Sequence, residues 1–190
     1  TPFTQGVYTD GIYKFIVGNG AADIDFNLIA NDSGATITHA SITDTNSASD
    51  RFVAEDNALN TGMNTFQFLV TAADGTVKYY TINVYKLSND TSVKDGTGIT
   101  ADGITLTKQS DGKTYTGLTT YADTDTTIYV DPTHQNAWAS SGAGSWTFTS
   151  SGATINTRDV IVSAENCKSE YVSIPENTCA TKTYTLNITR

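Results

Sequence analysis

The chain of 190 residues is poor in charge, because charged side chains make up 16% of it against about 25% in an average domain. Lys and Arg number 11 and Asp and Glu number 20, which gives a formal net charge of −9, and the basic residues form no cluster. Nucleic-acid binding and attraction to anionic membranes both depend on clustered positive charge. The composition therefore predicts neither a nucleic-acid partner nor a membrane-surface one.

Long apolar runs and helix-forming residues are also scarce. No run approaches the roughly 18 apolar residues that a membrane-spanning helix requires, so we expect no membrane insertion. Methionine occurs once, and Ala, Glu, Lys, Leu and Arg are too infrequent for a helical bundle. In their place stand 34 Thr and 15 Ser, about a quarter of the chain, while 38% hydrophobic residues are enough to build a core.

Apolar and polar residues alternate along much of the chain, which is the pattern of half-buried β-strands. The clearest runs cover 12–17, 24–28, 66–70 and 80–84, and they are rich in β-branched and aromatic residues. Asp74-Gly75 stands between two such runs, and Asp-Gly is a strong signal for a β-hairpin turn. No window of 11 residues has a helical period, so the sequence predicts an all-β fold.

The chain also repeats itself at a spacing of about 100 residues. The matched segments are 64–72 with 156–164, 80–86 with 184–190, and Tyr13, Phe26 and Leu28 with Tyr115, Ile128 and Val130. A short junction lies near Ser88-Asn89-Asp90. We therefore predict two tandem immunoglobulin-like antiparallel β-sandwiches, with the first repeat at 1–88 and the second at 89–190.

Three segments of the first repeat carry a family likeness: Gly62-x-Asn64-Thr65, Val70-Thr71-Ala72-x-Asp74-Gly75 and Lys78-x-Tyr80-Thr81-Ile82-x-Val84. Together they resemble the closing signature of bacterial-type cadherin-like β-sandwich repeats, which are immunoglobulin-like modules found in tandem on extracellular proteins. Pro2-Phe3 ahead of Tyr13 is similar to the entry pattern of the same family. The resemblance implies a surface scaffold and brings no catalytic residues with it.

The second repeat has a candidate strand at 98–106, and the first repeat begins at Thr1, just after the point where its equivalent would lie. Two explanations are open: a chain cut from a longer protein, or a first sandwich that lacks an edge strand. An unpaired edge exposes backbone groups that another strand can satisfy. The second explanation predicts strand donation between subunits of a filament.

Two cysteines, Cys167 and Cys179, flank the place in the second repeat where the first has its Asp74-Gly75 turn. The insertion between them leaves one strand and rejoins the next at nearly the same point, so a disulfide that closes this hairpin insertion is expected. A metal site or a catalytic thiol is the alternative, but nearby His and further Cys are missing. A structural disulfide implies an oxidising compartment, and we expect an extracellular or cell-surface protein.

Three sequons, Asn31-Asp32-Ser33, Asn89-Asp90-Thr91 and Asn187-Ile188-Thr189, are acceptors for N-linked glycans by pattern. Asn31 and Asn89 fall in predicted turns, and Asn187 lies on a terminal strand where it must face outward. Covalent glycans are therefore among the predicted partners.

Two acidic, oxygen-rich loops resemble calcium-binding segments, and their candidate ligands are Asp44, Asn46, Asp50, Asp123 and Asp125. Neither loop has the spacing of an EF-hand. The alternative is a pair of solvated loops in which Asp and Asn side chains cap turns.

Aromatic residues offer a possible contact surface, with Trp138 and Tyr121 as candidate sugar or partner contacts and Trp146 as a candidate core residue. The only histidines, His39 and His134, lie in different repeats and outside any catalytic motif. The sequence therefore predicts neither an enzyme nor a cofactor.

Taken together, these features favour a structural or adhesive extracellular module, as a subunit or repeat unit of a glycosylated surface filament or surface-layer-like protein. Its partners would be other copies of itself or neighbouring repeats. The competing hypothesis is a carbohydrate-binding module of a secreted protein.

Overall fold

The computed structural model describes residues 7–9, 11–120, 122–149 and 153–190. Within them it has strands and two one-turn 3-10 helices, Glu165–Cys167 and Ser169–Tyr171, so the prediction of an all-β fold is confirmed. The strands are β1 (Val7–Thr9), β2 (Ile12–Val17), β3 (Asp23–Ile29), β4 (Thr36–His39), β5 (Arg51–Ala58), β6 (Gly62–Thr71), β7 (Val77–Lys86), β8 (Ile99–Ala101), β9 (Leu106–Lys108), β10 (Thr114–Leu118), β11 (Asp125–Val130), β12 (Trp138–Ser141), β13 (Gly144–Thr147), β14 (Ile155–Ser163) and β15 (Thr181–Thr189).

The chain divides into two compact units. Unit 1 comprises the residues up to Leu87 together with Glu170–Thr178, and unit 2 comprises Ser88–Ser169 together with Cys179–Arg190. Most of the insertion between the two cysteines therefore groups with unit 1, although both cysteines belong to unit 2.

The inserted segment packs closely on the turn between β2 and β3 of unit 1. The Gly20 N–H donates to the Glu176 carbonyl at 3.0 Å, and the Thr178 N–H donates to Asn19 Oδ1 at 2.9 Å. A Cβ atom on Gly18 would lie 2.5 Å from the backbone nitrogen of Asn177, closer than real Cβ contacts come. This approach therefore requires glycine at position 18.

Unit 1 is a β-sandwich of one five-stranded sheet, in the order β1-β2-β7-β6-β4, and one two-stranded sheet, β3-β5. The order β7-β6-β4 corresponds to strands G, F and C of the immunoglobulin arrangement, and β3-β5 to strands B and E. Phe26, Phe52, Phe68, Ile82 and Val84 fill the core, each at most 7% exposed. All of them except Phe52 are inward positions of the alternating runs named above.

Unit 2 repeats this arrangement with a five-stranded sheet, β12-β14-β15-β10-β9, and a three-stranded sheet, β13-β11-β8. The last two strands pair in the same register in both units, since Asn64 faces Val84 on β6 and β7, and Asn156 faces Ile188 on β14 and β15. The difference lies in the smaller sheet, which has a third strand, β8, in unit 2 alone among the described residues.

One pair of strands in each unit is parallel rather than antiparallel: β2 with β7 in unit 1, and β10 with β15 in unit 2. Tyr13 faces Ile82, and Tyr115 faces Leu186 at the matching position. Parallel and antiparallel strands share a side-chain period of two, so the alternation in the sequence does not distinguish them.

The turn between β6 and β7 confirms the hairpin predicted at Asp74-Gly75. Gly75 has φ +86°, which favours glycine, and Asp74 Oδ1 accepts the N–H of Thr76 at 2.8 Å. The strand predicted over 98–106 is wrong as a single element, because it divides into β8 and β9. Gly103, with φ +72°, turns the chain between them.

A buried carboxylate supports the beginning of unit 2. Glu165 is 2% exposed, and its Oε2 accepts the N–H of Ser88 at 3.2 Å while its Oε1 accepts Asn136 Nδ2–H at 2.7 Å. A backbone hydrogen bond joins the same two segments, since the Asn166 N–H donates to the Ser88 carbonyl at 3.2 Å. A buried Glu is stable here because these donors replace the water that it loses.

Replacing Glu165 with Ala leaves the buried Ser88 N–H and the half-buried side-chain amide of Asn136 without this acceptor. We expect the free energy of unfolding of unit 2 to fall by about 1–3 kcal/mol, measured by chemical denaturation. Glu170→Ala is the matched control, because Glu170 is exposed and its replacement should change stability by less than about 0.5 kcal/mol. Equal effects of the two substitutions would contradict the structural role of Glu165.

Candidate functional site

A cavity of about 590 Å³ in unit 1 is lined by residues of both of its sheets. We call it the groove. Its lining combines apolar side chains of both sheets with the chain that follows β3, and consists of Tyr13, Phe15, Asn27, Leu28, Ile29, Ala30, Asn31, Asp32, Ala35, Ile37, Phe68, Val70, Ala72, Tyr80 and Ile82.

One lining residue of the groove, Phe68, belongs to an aromatic cluster. The Phe68 ring packs edge-on against Phe26 and Phe52, with centroid distances of 5.0 and 5.2 Å. The centre of the Phe66 ring lies 4.9 Å from that of Phe26. These contacts hold the Phe68 ring in place where it lines the groove.

Charge is sparse along the groove. Asp32 is the one acidic residue of its lining, and its Oδ1 accepts the N–H of Gly34 at 2.9 Å. The Lys78 ammonium lies 4.9 Å from the centre of the Tyr80 ring. Most of the lining is apolar, and such a surface suits the binding of an apolar group.

A second, smaller cavity of about 340 Å³ is lined by His39, Asp44, Asn46 and Phe52 among others. His39 Nδ1 accepts the N–H groups of Ser41 and Ile42 at 3.1 and 3.0 Å, and burial lowers the pKa of His39. The imidazole therefore serves as a neutral cap of the turn that follows β4.

The predicted disulfide joins Cys167 and Cys179, with Cα atoms 4.5 Å apart. The flanking strands bring these positions together, because the Ala164 N–H donates to the Ala180 carbonyl at 2.9 Å. Asn166 adds a second connection, as its Oδ1 accepts the Ala180 N–H at 3.2 Å.

Most of the predicted calcium ligands serve as turn caps or backbone acceptors. Asp44 Oδ1 accepts the N–H groups of Asn46 and Val53, both at 2.9 Å. The Asp50 carbonyl accepts the Ala30 N–H at 2.8 Å. Calcium binding by Asp44, Asn46 and Asp50 stays a prediction, but these contacts also fit the alternative of capped, solvated loops.

The second predicted calcium loop behaves similarly. Asp123 Oδ2 accepts hydrogen bonds from the hydroxyls of Thr119 and Thr120 and from the Thr120 N–H, and these bonds lower the pKa of Asp123. Asp125 Oδ2 lies 3.5 Å from the Thr124 hydroxyl.

A different set of carboxylates comes together at the β3-β5 sheet. Among the described residues, Asp23, Asp25 and Asp56 are the group whose ligand atoms lie within 4.8 Å of one another. Asp56 has φ 55°, and its N–H donates to Asp25 Oδ1 at 3.0 Å. Sequence reasoning missed this cluster, because Asp56 is 31 residues from Asp25 and only strand pairing brings them together.

Of the two predicted aromatic contact residues, the structure describes only Trp138. Trp138 lies half-buried on β12, opposite Ser163, and Tyr121 lies outside the described residues. Trp146 packs against the core of unit 2, 5.2 Å from Phe148, with the Arg158 guanidinium 5.9 Å from its ring.

One of the three sequons lies in unit 1 and two lie in unit 2. Asn31 and Asn89 are exposed outside the strands, and Asn31 also lines the groove. Asn187 is on β15, where its Oδ1 accepts the Thr157 hydroxyl at 2.9 Å. Their glycosylation stays a prediction.

No protein-family model matches the chain, and no curated protein matches its sequence. No helix in the described ranges has the length and hydrophobicity needed to span a membrane.

Solved structures of cadherin ectodomains are similar to the chain at low identity. The EC22-24 fragment of mouse cadherin-23 matches with a TM-score of 0.44 and 10% identity over 94% of this chain and 62% of that one. The protocadherin GammaB4 extracellular domain gives 0.46 and 12% over 99% and 34%, and the human desmocollin-1 ectodomain gives 0.35 and 10% over 94% and 36%. The chain thus spans a third to about three fifths of these structures, and the sandwich assignment of each unit rests on the strand order above.

Removing the disulfide should destabilise the protein. The double variant Cys167→Ser, Cys179→Ser opens a loop with a sequence separation of 12, which costs about 3 kcal/mol of unfolding free energy on the chain-entropy model. Chemical denaturation measures the loss. Reduction of the wild type should lower its stability by the same amount, and the variant should be insensitive to reductant. Unchanged stability of the variant would contradict a structural role.

Proposed function

We propose that the chain is a structural or adhesive module of an extracellular protein, made of two tandem β-sandwich domains and assembled with copies of itself or with neighbouring repeats. The observation that carries the proposal is the groove in unit 1, which lies beside a strand edge that no described strand covers. Exposed strand edges are sites where chains join by main-chain hydrogen bonding. Strand donation between subunits is therefore the proposed mode of assembly.

The disulfide supports an extracellular location, since structural disulfides persist in oxidising compartments. The outer face of β15 carries Thr181, Thr183, Thr185 and Thr189, at every second position apart from Asn187. Such a face is polar without charge, so it suits either glycosylation or packing against a neighbouring subunit. A glycosylated surface filament or surface layer is the assembly that combines these features.

A carbohydrate-binding module is the second proposed function, and Trp138 is the residue that favours it. Trp138 remains partly accessible on β12, where an indole can stack on a sugar ring. This alternative involves unit 2, whereas assembly by strand donation involves unit 1.

Imaging of the protein isolated from its native source tests the assembly proposal. We expect filaments or an ordered layer in electron micrographs, because head-to-tail contacts that do not close produce extended polymers. Monodisperse single particles at high concentration would contradict it.

A glycan array followed by titration tests the alternative. If the module binds sugar, Trp138→Ala should weaken binding about tenfold or more, as expected when a central aromatic contact is removed. Tyr129→Ala is the control, because Tyr129 is an exposed aromatic of the same unit. Absence of saturable binding to any glycan, or equal loss in both variants, would contradict a Trp138 sugar site.

A further inference from the structure

In unit 2 a continuous segment, 91–102, covers the edge of β11. Four backbone hydrogen bonds hold it there: Thr133 N–H to Ser92 O at 2.9 Å, Lys94 N–H to Asp131 O at 3.1 Å, Asp131 N–H to Gly98 O at 2.8 Å, and Asp102 N–H to Thr127 O at 3.0 Å. The Lys94 ammonium adds an ion pair with Asp131 at 2.8 Å. The backbone N–H and C=O groups at this edge of β11 therefore find their hydrogen-bond partners within the unit.

The same segment fills the interior of unit 2. Val93, Ile99 and Ala101 are 5%, 2% and 7% exposed, and they pack in one core with Tyr115 and Tyr184. The Tyr184 hydroxyl donates to the carbonyl of Thr91 at 3.0 Å. Segment 91–102 thus contributes two aliphatic side chains and a small one to the sandwich.

The corresponding edge in unit 1 is open within the described residues. β3 pairs with β5, and the Ala30 N–H, directly after β3, points to the same side, where it donates to the Asp50 carbonyl at 2.8 Å. Backbone groups alternate between the two edges of a strand, so Asn27 and Ile29 direct their N–H and C=O groups to the opposite edge. No described strand lies there.

Equivalent tyrosines differ in burial between the units. Tyr115 and Tyr184 are 5% and 1% exposed in unit 2, whereas Tyr13 and Tyr80, at the same positions of unit 1, are half-buried and line the groove. The groove is therefore the space that segment 91–102 occupies in the other unit.

We propose that the open edge of β3 accepts an extended strand of another polypeptide chain, whose aliphatic side chains fill the groove. The proposal rests on the assembly function above and specifies its acceptor site. Ile99 faces Val130 and Ala101 faces Ile128 in unit 2. The incoming strand accordingly places an aliphatic residue opposite Leu28 and a small residue opposite Phe26, with a polar residue between them.

A synthetic peptide with the sequence of residues 90–102 is the probe, and the whole chain, produced without glycans because Asn31 lines the groove, is the receptor. We expect saturable binding by fluorescence anisotropy. Hydrogen exchange should show new protection at the amides of Asn27 and Ile29. Absence of saturable binding up to roughly millimolar peptide, or protection confined to another strand, would overturn the proposal.

Matched controls separate the edge from the groove. A peptide with Val93→Asp and Ile99→Asp should bind at least about tenfold more weakly, because it places charge in the apolar groove. In the protein, Ile29→Pro removes one N–H from the open edge and should weaken binding similarly. Ile29→Val retains this N–H and is the matched comparison. The Ile29 side chain is 67% exposed, so neither change disturbs the core. Equal binding of both peptides would overturn the proposal whatever the protein variants do.

The peptide experiment and native imaging can reject the acceptor site and the assembly function separately. Filaments without peptide binding would retain the assembly function and reject the groove as its acceptor. Peptide binding without filaments would retain the acceptor site and reject the assembly.

Discussion

The hydrogen-bonding requirement of strand edges is the constraint on which this protein depends. A sandwich core is built from side chains, but every strand at the end of a sheet also presents a row of N–H and C=O groups. In unit 2 the segment 91–102 satisfies that row and closes the core in the same step. In unit 1 the described residues leave the edge of β3 open, and the groove follows directly from this difference.

The common framework of the units makes this comparison meaningful. In both, the last two strands pair in the same register, and the strand that begins the larger sheet runs parallel to the final one. Core positions are matched as well, with Ile82 and Val84 in unit 1 against Leu186 and Ile188 in unit 2, none more than 7% exposed. The two units therefore differ chiefly in how one edge is completed.

Local sequence signals predicted the parts of the fold that depend on neighbouring residues. Alternation located the strands, Asp74-Gly75 located a hairpin, and the repeat register brought Cys167 and Cys179 within bonding distance. Features that depend on distant partners were not predicted. Parallel pairing leaves the side-chain period unchanged, and the burial of Glu165 depends on donors 29 and 77 residues away.

The groove was predictable from the sequence only in part. The repeat comparison directed attention to one edge of the first sandwich, but not to the side chains that line the groove beside it. Those come from five strands that only the fold brings together, so no local motif could have identified them.

Amide hydrogen exchange of the isolated chain tests the central claim most directly. Asn27 and Ile29 direct their amides to the open edge of unit 1, while Tyr129 and Asp131 hold the equivalent positions under segment 91–102 in unit 2. The account predicts fast exchange at Asn27 and Ile29 and strong protection at Tyr129 and Asp131. Equal protection of the two pairs would contradict it, because the edge of β3 would then already be covered.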